Sequence, residues 1–372
     1  MPADYLKALE AIFPEKTGRL ATVFRNTTTS YKLVWFLAIM NILERKCEPA
    51  IRLHDIFREM IAVVWHPVCL YRLFLGKLDR LQNAAGEISR VTGLSAVSDI
   101  YSVRNCIHSF PTVSKKLSFI AAYVPTRFLS PWFAKQLRGR KDHEKDGLIR
   151  RLAAESQQYS ISSPYYFTAQ TTEITFNKSW LSFIYENLGV IRAFAEYNFA
   201  QYLQSRNPNV PGIINKLHAP TKRNLSPARK FWRYVRKEFA KRGLLHMFYD
   251  IFTQQPLGDR FAIDHFLPWS FVVHDMKWNL VPVERSTNSK KSDAIPDLSI
   301  YLPRLVRLHQ KAIEVSLDRP RLLEDYALIF KEEPRKLFSM SAHELERRYR
   351  AIFAPQAQIA ANQGFRSDWL YQ

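Results

Sequence analysis

The sequence predicts a mainly α-helical protein with a small α+β module near the C-terminus. Three observations predict it. Apolar stretches at helical spacing recur along most of the 372 residues. Strand-like runs are few and short. One contiguous segment, Met247 to Leu298, reads as strand, turn, strand and helix.

A chain of this length is long enough for two or three domains and a sizeable core. With 47% hydrophobic and 24% charged residues it has an ordinary globular composition, which excludes the disordered class. Composition and motifs divide it into a helical, basic region at 1–215, a basic helix at 216–242, the α+β module at 243–300, and a helical segment at 301–372 that packs on the rest.

The elements follow in order. Asn26 to Ser30 offers helix caps, and Leu33 to Leu43 is an apolar helix. Ile51 to Met60 has helical spacing. Ile61 to Leu75 is almost wholly apolar, and Pro67 should kink it; His66 there reads as a satisfied core histidine. Leu73 to Ile88 continues as helix. Pro111, Pro125 and Pro131 interrupt the stretch to Phe133, giving irregular packed structure. Lys135 to Arg151 is a charged loop or helix end. Tyr165 to Phe176 suggests a small hairpin, and Trp180 to Gln204 one long amphipathic helix ending at the turn cluster Asn207 to Gly212.

Ser226-Pro227 starts a further helix. Its Arg229, Arg233, Arg236 and Lys237 recur three to four residues apart and share a face, with Lys230 beside them. Phe231, Trp232, Tyr234, Val235 and Phe239 supply the apolar side. Beyond the module, Leu298 to Val315 and Arg321 to Glu333 look helical. Ser341 and Glu344 form a capping box opening a helix to Phe353, with a loop from Ala354.

The net charge of +20 is uneven. Residues 1–242 hold 37 Lys and Arg against 18 Asp and Glu, whereas residues 243–372 hold 17 against 16. A polyanionic partner explains such a surplus, because Lys and Arg that contact phosphates release counterions. Cys47, Cys69 and Cys106 lack CxxC spacing, which argues against a disulfide framework or a cysteine zinc site and for a reducing, cytoplasmic location. The start, Met1 to Tyr5, lacks the features of a signal peptide. The longest apolar run, Leu33 to Met40, is far short of the roughly 20 residues that span a bilayer, so no membrane partner is expected.

The chemistry concentrates in one run. Asp264 and His265 are adjacent on a strand end before Pro268, and the preceding Met247 to Thr253 reads as the other strand of a hairpin. Adjacent strand residues point to opposite faces, but a strand ending at Pro268 can twist and bring both to one cleft. Asn279 follows in Trp278-Asn279-Leu280-Val281-Pro282. Asn288 lies in Asn288-Ser289-Lys290-Lys291-Ser292-Asp293, within a short helix from Glu284 to Lys291. Phosphodiester hydrolysis needs an activated water and neutralised charge on phosphate and leaving oxygen. A neutral imidazole supplies the first and a hard cation on oxygen ligands the second. His274 and His246 read as structural, and Arg285 and Lys290 as candidate phosphate contacts.

These motifs, matched together and in order, make Met247 to Leu298 similar to the ββα-metal domain of HNH endonucleases, with spacings like those of CRISPR effector HNH domains. The resemblance implies that the α+β module is a ββα-metal (HNH) fold. It implies His265 as general base, Asp264 and Asn288 as metal ligands, Asn279 as the residue that braces the loop and orients His265, and Lys291 near the phosphate. Asn288 stands where the family name has its last His. Many relatives have flanking CxxC pairs that hold zinc; no cysteine follows Cys106, so no structural zinc is expected. Phe252, Phe261, Phe266, Trp269 and Trp278 are then the expected core. The implied activity is endonucleolytic hydrolysis of duplex DNA on one divalent cation, Mg²⁺ or Mn²⁺. The helical region upstream resembles bacterial HNH-domain proteins with long helical N-terminal regions, some of which serve in phage defence or restriction. Two other readings stand beside this one: a subunit that acts only within a protein partner, guide or defence complex, and an RNA-directed nuclease. No RNA-binding signature supports the latter.

Overall fold

The computed structural model describes residues 14–25, 27–46, 48–109, 118–159, 162–220 and 223–372. The readings made at Met1 to Tyr5, Asn26, Cys47 and Pro111 lie outside them. The described residues are mainly helical, with two small antiparallel sheets among them. No described helix is long and apolar enough to cross a membrane. The chain forms two compact units, one of Met1–Pro208 and Ile213–Ala219, the other of Asn209–Gly212 and Pro220–Gln372.

The first unit is built on the helices Tyr31–Arg45 and Leu53–Trp65. Residues Leu33 to Met40 are all buried, so this apolar run is a core helix. The second helix ends at Trp65. There Pro67, which has no N–H to donate, turns the backbone into the wider helical turn His66–Leu70. His66 is buried, with Nε2 2.9 Å from the Ser98 carbonyl. The expected helix over Leu73 to Ile88 begins only at Leu81 and runs to Thr92. Side chains take up the intervening backbone groups: Gln82 Oε1 accepts from Leu75 N, Asn207 Oδ1 from Phe74 N, and Asp79 Oδ1 from Leu81 N.

Strands β1 (Ala50–Arg52), β2 (Tyr165–Phe167) and β3 (Glu173–Phe176) form a sheet in the order β1-β3-β2. The β2–β3 hairpin is the one expected; β1 is too short to read from sequence. The helix expected from Trp180 to Gln204 is two, Lys178–Glu186 and Leu188–Arg206, parted at Asn187. Pro125 lies inside the helix Ser118–Arg127, not in irregular structure.

The second unit has one continuous core from Ala228 to Trp369. The helix Ser226–Lys241 contributes Ala228, Phe231, Trp232, Val235 and Phe239. The expected strand from Met247 to Thr253 is absent. Leu245–Met247 is a short 3₁₀ turn, and Tyr249 and Pro256 form an isolated bridge. The buried carboxylate of Asp250 accepts from Phe252 N and closes a turn where a strand was expected. The sheet is instead formed by β4 (Ala262–His265) and β5 (Leu280–Val283). The final long helix runs from Ala342 to Asn362, through Pro355, past the loop expected from Ala354; Ser341 Oγ caps it at Glu344 N.

Candidate active site

In the antiparallel β4–β5 pair, Asp264 lies opposite Val281 and His265 opposite Leu280. The helix Arg285–Lys291 follows β5 directly and packs on β4. Its entry is fastened by Asp250 Oδ2, which accepts from Glu284 N at 2.9 Å. Phe252, Phe261, Phe266 and Trp278 are buried around the hairpin. Trp269 is only half-buried, with the Arg223 guanidinium over its ring.

The alternation of a strand sends the two adjacent site residues to different neighbours. Asp264 meets the helix: Lys291 Nζ lies 3.0 Å from its Oδ2 and also donates to the His265 carbonyl at 2.7 Å. His265 meets the loop: its Nε2 is 2.8 Å from Asp275 Oδ1. Asp264 and His265 are both buried.

Burial pushes the Asp264 carboxyl above its ordinary range, and the Lys291 charge pulls against that shift. The ammonium is close but poorly directed, so Oδ2 remains a buried acceptor without a hydrogen bond. Lys291 itself is enclosed, with both contacts internal, and not at a phosphate-facing surface. A buried ammonium requires such partners.

Asn279 is fully buried. Its Oδ1 accepts from Leu267 N at 2.9 Å and its Nδ2 donates to Leu267 O at 3.0 Å. This two-point grip holds the backbone two residues beyond His265 and keeps Asn279 away from any reacting group. Asn288 is half-buried, one turn before Lys291 on the same helix, and its amide forms no hydrogen bond among the described residues.

The donor set fits a hard cation. Asp264 offers an oxygen with no hydrogen bond and Asn288 an uncommitted amide oxygen, the ligand type that Mg²⁺ and Mn²⁺ take while keeping waters and substrate phosphates. Among the described residues, no group of three or more His, Cys, Asp or Glu side chains could hold a metal.

The other candidates divide. Arg229, Lys230, Arg233 and Lys237 are exposed on one helix, whereas Arg236 is tied to Asp259. Arg285 is exposed. Lys290 is exposed, but it donates to the Gln372 backbone oxygen at 2.9 Å and lies 4.6 Å above the Tyr371 ring, so it is tied to the C-terminal residues. His274 packs against Trp278, and burial together with His265 lowers it to about 4, leaving it neutral at neutral pH. His246 is exposed, contrary to the packing role expected of it.

Sequence reasoning missed Asp250 and Asp275. Each is a lone acid with no local pattern; only the turning of the chain brings them to Glu284 and His265.

Residues 250–297 match the model of the HNH endonuclease family. No curated protein and no solved structure gives a match. The matched segment contains Asp264, His265, Asn279, Asn288 and Lys291, and also Asp250 and Asp275. The match supports a chain that carries an HNH-type domain at residues 250–297.

Proposed function

We propose that the chain is a divalent-metal-dependent endonuclease that hydrolyses DNA phosphodiester bonds. The family match carries the reading, because it spans a buried Asp264–His265 pair at a strand end and the helix bearing Asn288. His265 takes the proton of the attacking water as the new P–O bond forms and the bond to the leaving oxygen breaks. A cation held by Asp264 and Asn288 would neutralise charge on the phosphate and leaving oxygen. Asn279 keeps the strand end rigid, so His265 is presented in one orientation.

Substrate binding is assigned to the exposed Arg229, Lys230, Arg233 and Lys237, on a helix whose opposite face is anchored by Phe231, Trp232 and Phe239. A fixed row of charges suits the repeating phosphates of a duplex. The basic helical region at 1–215 adds to that attraction, and the HNH module at 243–300 does the chemistry.

The test is cleavage of duplex DNA, single-stranded DNA and RNA by the purified chain with Mg²⁺ or Mn²⁺. Duplex DNA should be cut, chelator should stop it, and His265→Ala should lower the rate by about 10²–10⁴-fold with binding retained. Gln at Arg229, Lys230, Arg233 and Lys237 together should weaken binding and flatten its salt dependence. Undiminished cutting by His265→Ala ends the reading, and preference for RNA overturns the substrate assignment.

A further inference from the structure

We propose that Asp275 is a positioning residue for the general base: its carboxylate holds His265 through Nε2, leaving the unshared pair on Nδ1 for the reacting water. The inference rests on the nuclease reading above.

The geometry is specific. Asp275 Oδ1 and His265 Nε2 are 2.8 Å apart. An ionised carboxylate only accepts hydrogen bonds, so a neutral imidazole in this contact carries its proton on Nε2. Nδ1 has no hydrogen-bond partner among the described residues. The hydrogen bond from His265 is the main cause that holds the Asp275 carboxyl below its ordinary range, with Arg223 adding to it. Asp275 therefore remains the acceptor at neutral pH.

The loop bearing Asp275 is anchored on both sides without this contact. Before it, Val273 adopts a left-handed conformation and its N–H donates to Trp269 O at 2.7 Å. After it, Lys277 donates to Asp325 Oδ2 from its backbone N at 2.9 Å and its Nζ at 2.6 Å. Asn279 N donates to Met276 O at 3.0 Å. The His265 contact is thus not needed to place the loop; the placed loop sets the imidazole. Among the described residues Asp275 bonds to neither Asp264 nor Asn288, the donors proposed for the cation.

The experiment reads the ring directly. The ¹⁵N shifts of His265 are recorded in the metal-free full-length chain at about pH 8.5, where an ordinary imidazole is neutral. We expect protonated Nε2 and bare Nδ1. Asp275→Asn puts an amide at the same point, and its N–H can donate to Nε2. The proton should then move to Nδ1, with kcat falling on the order of 10²–10⁴-fold while KM and metal affinity stay within about twofold. Asp275→Ala should give both tautomers and a smaller loss. A wild-type ring protonated on Nδ1 overturns the proposal, and that spectrum decides even if Asp275→Asn fails to fold. So does an Asp275→Asn protein with wild-type tautomer or wild-type kcat, in which case His265→Ala still tests the nuclease reading. A chain with protonated Nε2 that cuts no nucleic acid overturns the nuclease reading alone.

Discussion

Two buried carboxylates, one in each unit, are treated differently by the fold. Glu59, on the helix Leu53–Trp65, is 4% exposed and Asp264 5%. Glu59 is saturated: Asn41 Nδ2 donates to it at 2.9 Å, Arg45 Nη2 at 2.8 Å, and Arg104 through Nη2 at 2.7 Å and Nε at 3.0 Å. Asp264 has one ammonium nearby, poorly directed, and an oxygen with no hydrogen bond. Burial alone therefore does not mark a functional acid. What separates them is unsatisfied acceptor capacity, which a buried group retains at a penalty. A cation would relieve that penalty at Asp264, and Glu59 has nothing left to offer one.

Crossing the two sites gives the largest effect. Asp264→Asn should abolish metal-dependent cleavage, a loss of at least about 10³-fold, and should also destabilise by about 3 kcal/mol, because the buried Lys291 ammonium loses its counter-charge. Glu59→Gln should leave the cleavage rate unchanged at a temperature where it is folded, yet destabilise by about 3 kcal/mol as two arginines lose their counter-charge. Cleavage assays and thermal melts on both variants check this. Equal loss of activity in the two would break the comparison.

Lys291 sharpens it. In the metal-free chain Lys291→Met leaves Asp264 buried without the Lys291 counter-charge, which should destabilise by about 3 kcal/mol. Mg²⁺ or Mn²⁺ should restore part of that loss, since a bound cation replaces the missing charge and stabilises by mass action. Melts with and without metal measure both. If metal raises Tm no more in Lys291→Met than in the wild type, Asp264 is a structural acid like Glu59.

The parts of this site legible in sequence were those carried by contiguous pattern. Asp264-His265, the Trp278 to Pro282 run and Asn288 to Lys291 lie in one short segment, where spacing and fold are nearly the same information. The apolar run from Leu33 was legible for the same reason. Long-range contact was not. Asp250 closes a turn with its own side chain, which turned an apparent strand into a bridge and moved the hairpin to β4 and β5. Asp79, Gln82 and Asn207 bond backbone between Phe74 and Leu81, and so defeated a helix that local propensity favours. Asp275 had no signal because its partner depends on where the loop returns.

The smallest effect comes from a saturated group in the same unit as Asp264. His309 is fully buried, with Nδ1 3.0 Å from the Tyr349 hydroxyl and Nε2 3.2 Å from the Leu280 carbonyl, on the strand residue paired with His265. A neutral ring accepting from Tyr349 and donating to Leu280 satisfies both nitrogens. Burial lowers it from 6.5 to about 3, with the Leu280 contact opposing. A depressed histidine stabilises the fold fully above its unfolded value of 6.5. Below that the unfolded chain binds a proton that the folded chain refuses, so stability falls with pH until the folded value is reached. By pH 5 the loss should be about 2 kcal/mol. His309→Gln should be less stable at pH 7 but should lose less between pH 7 and pH 5, as read by denaturant melts. Parallel losses in both proteins would mean that His309 takes up its proton in the folded state, and that a buried, fully bonded group in this unit is not protected by its bonds.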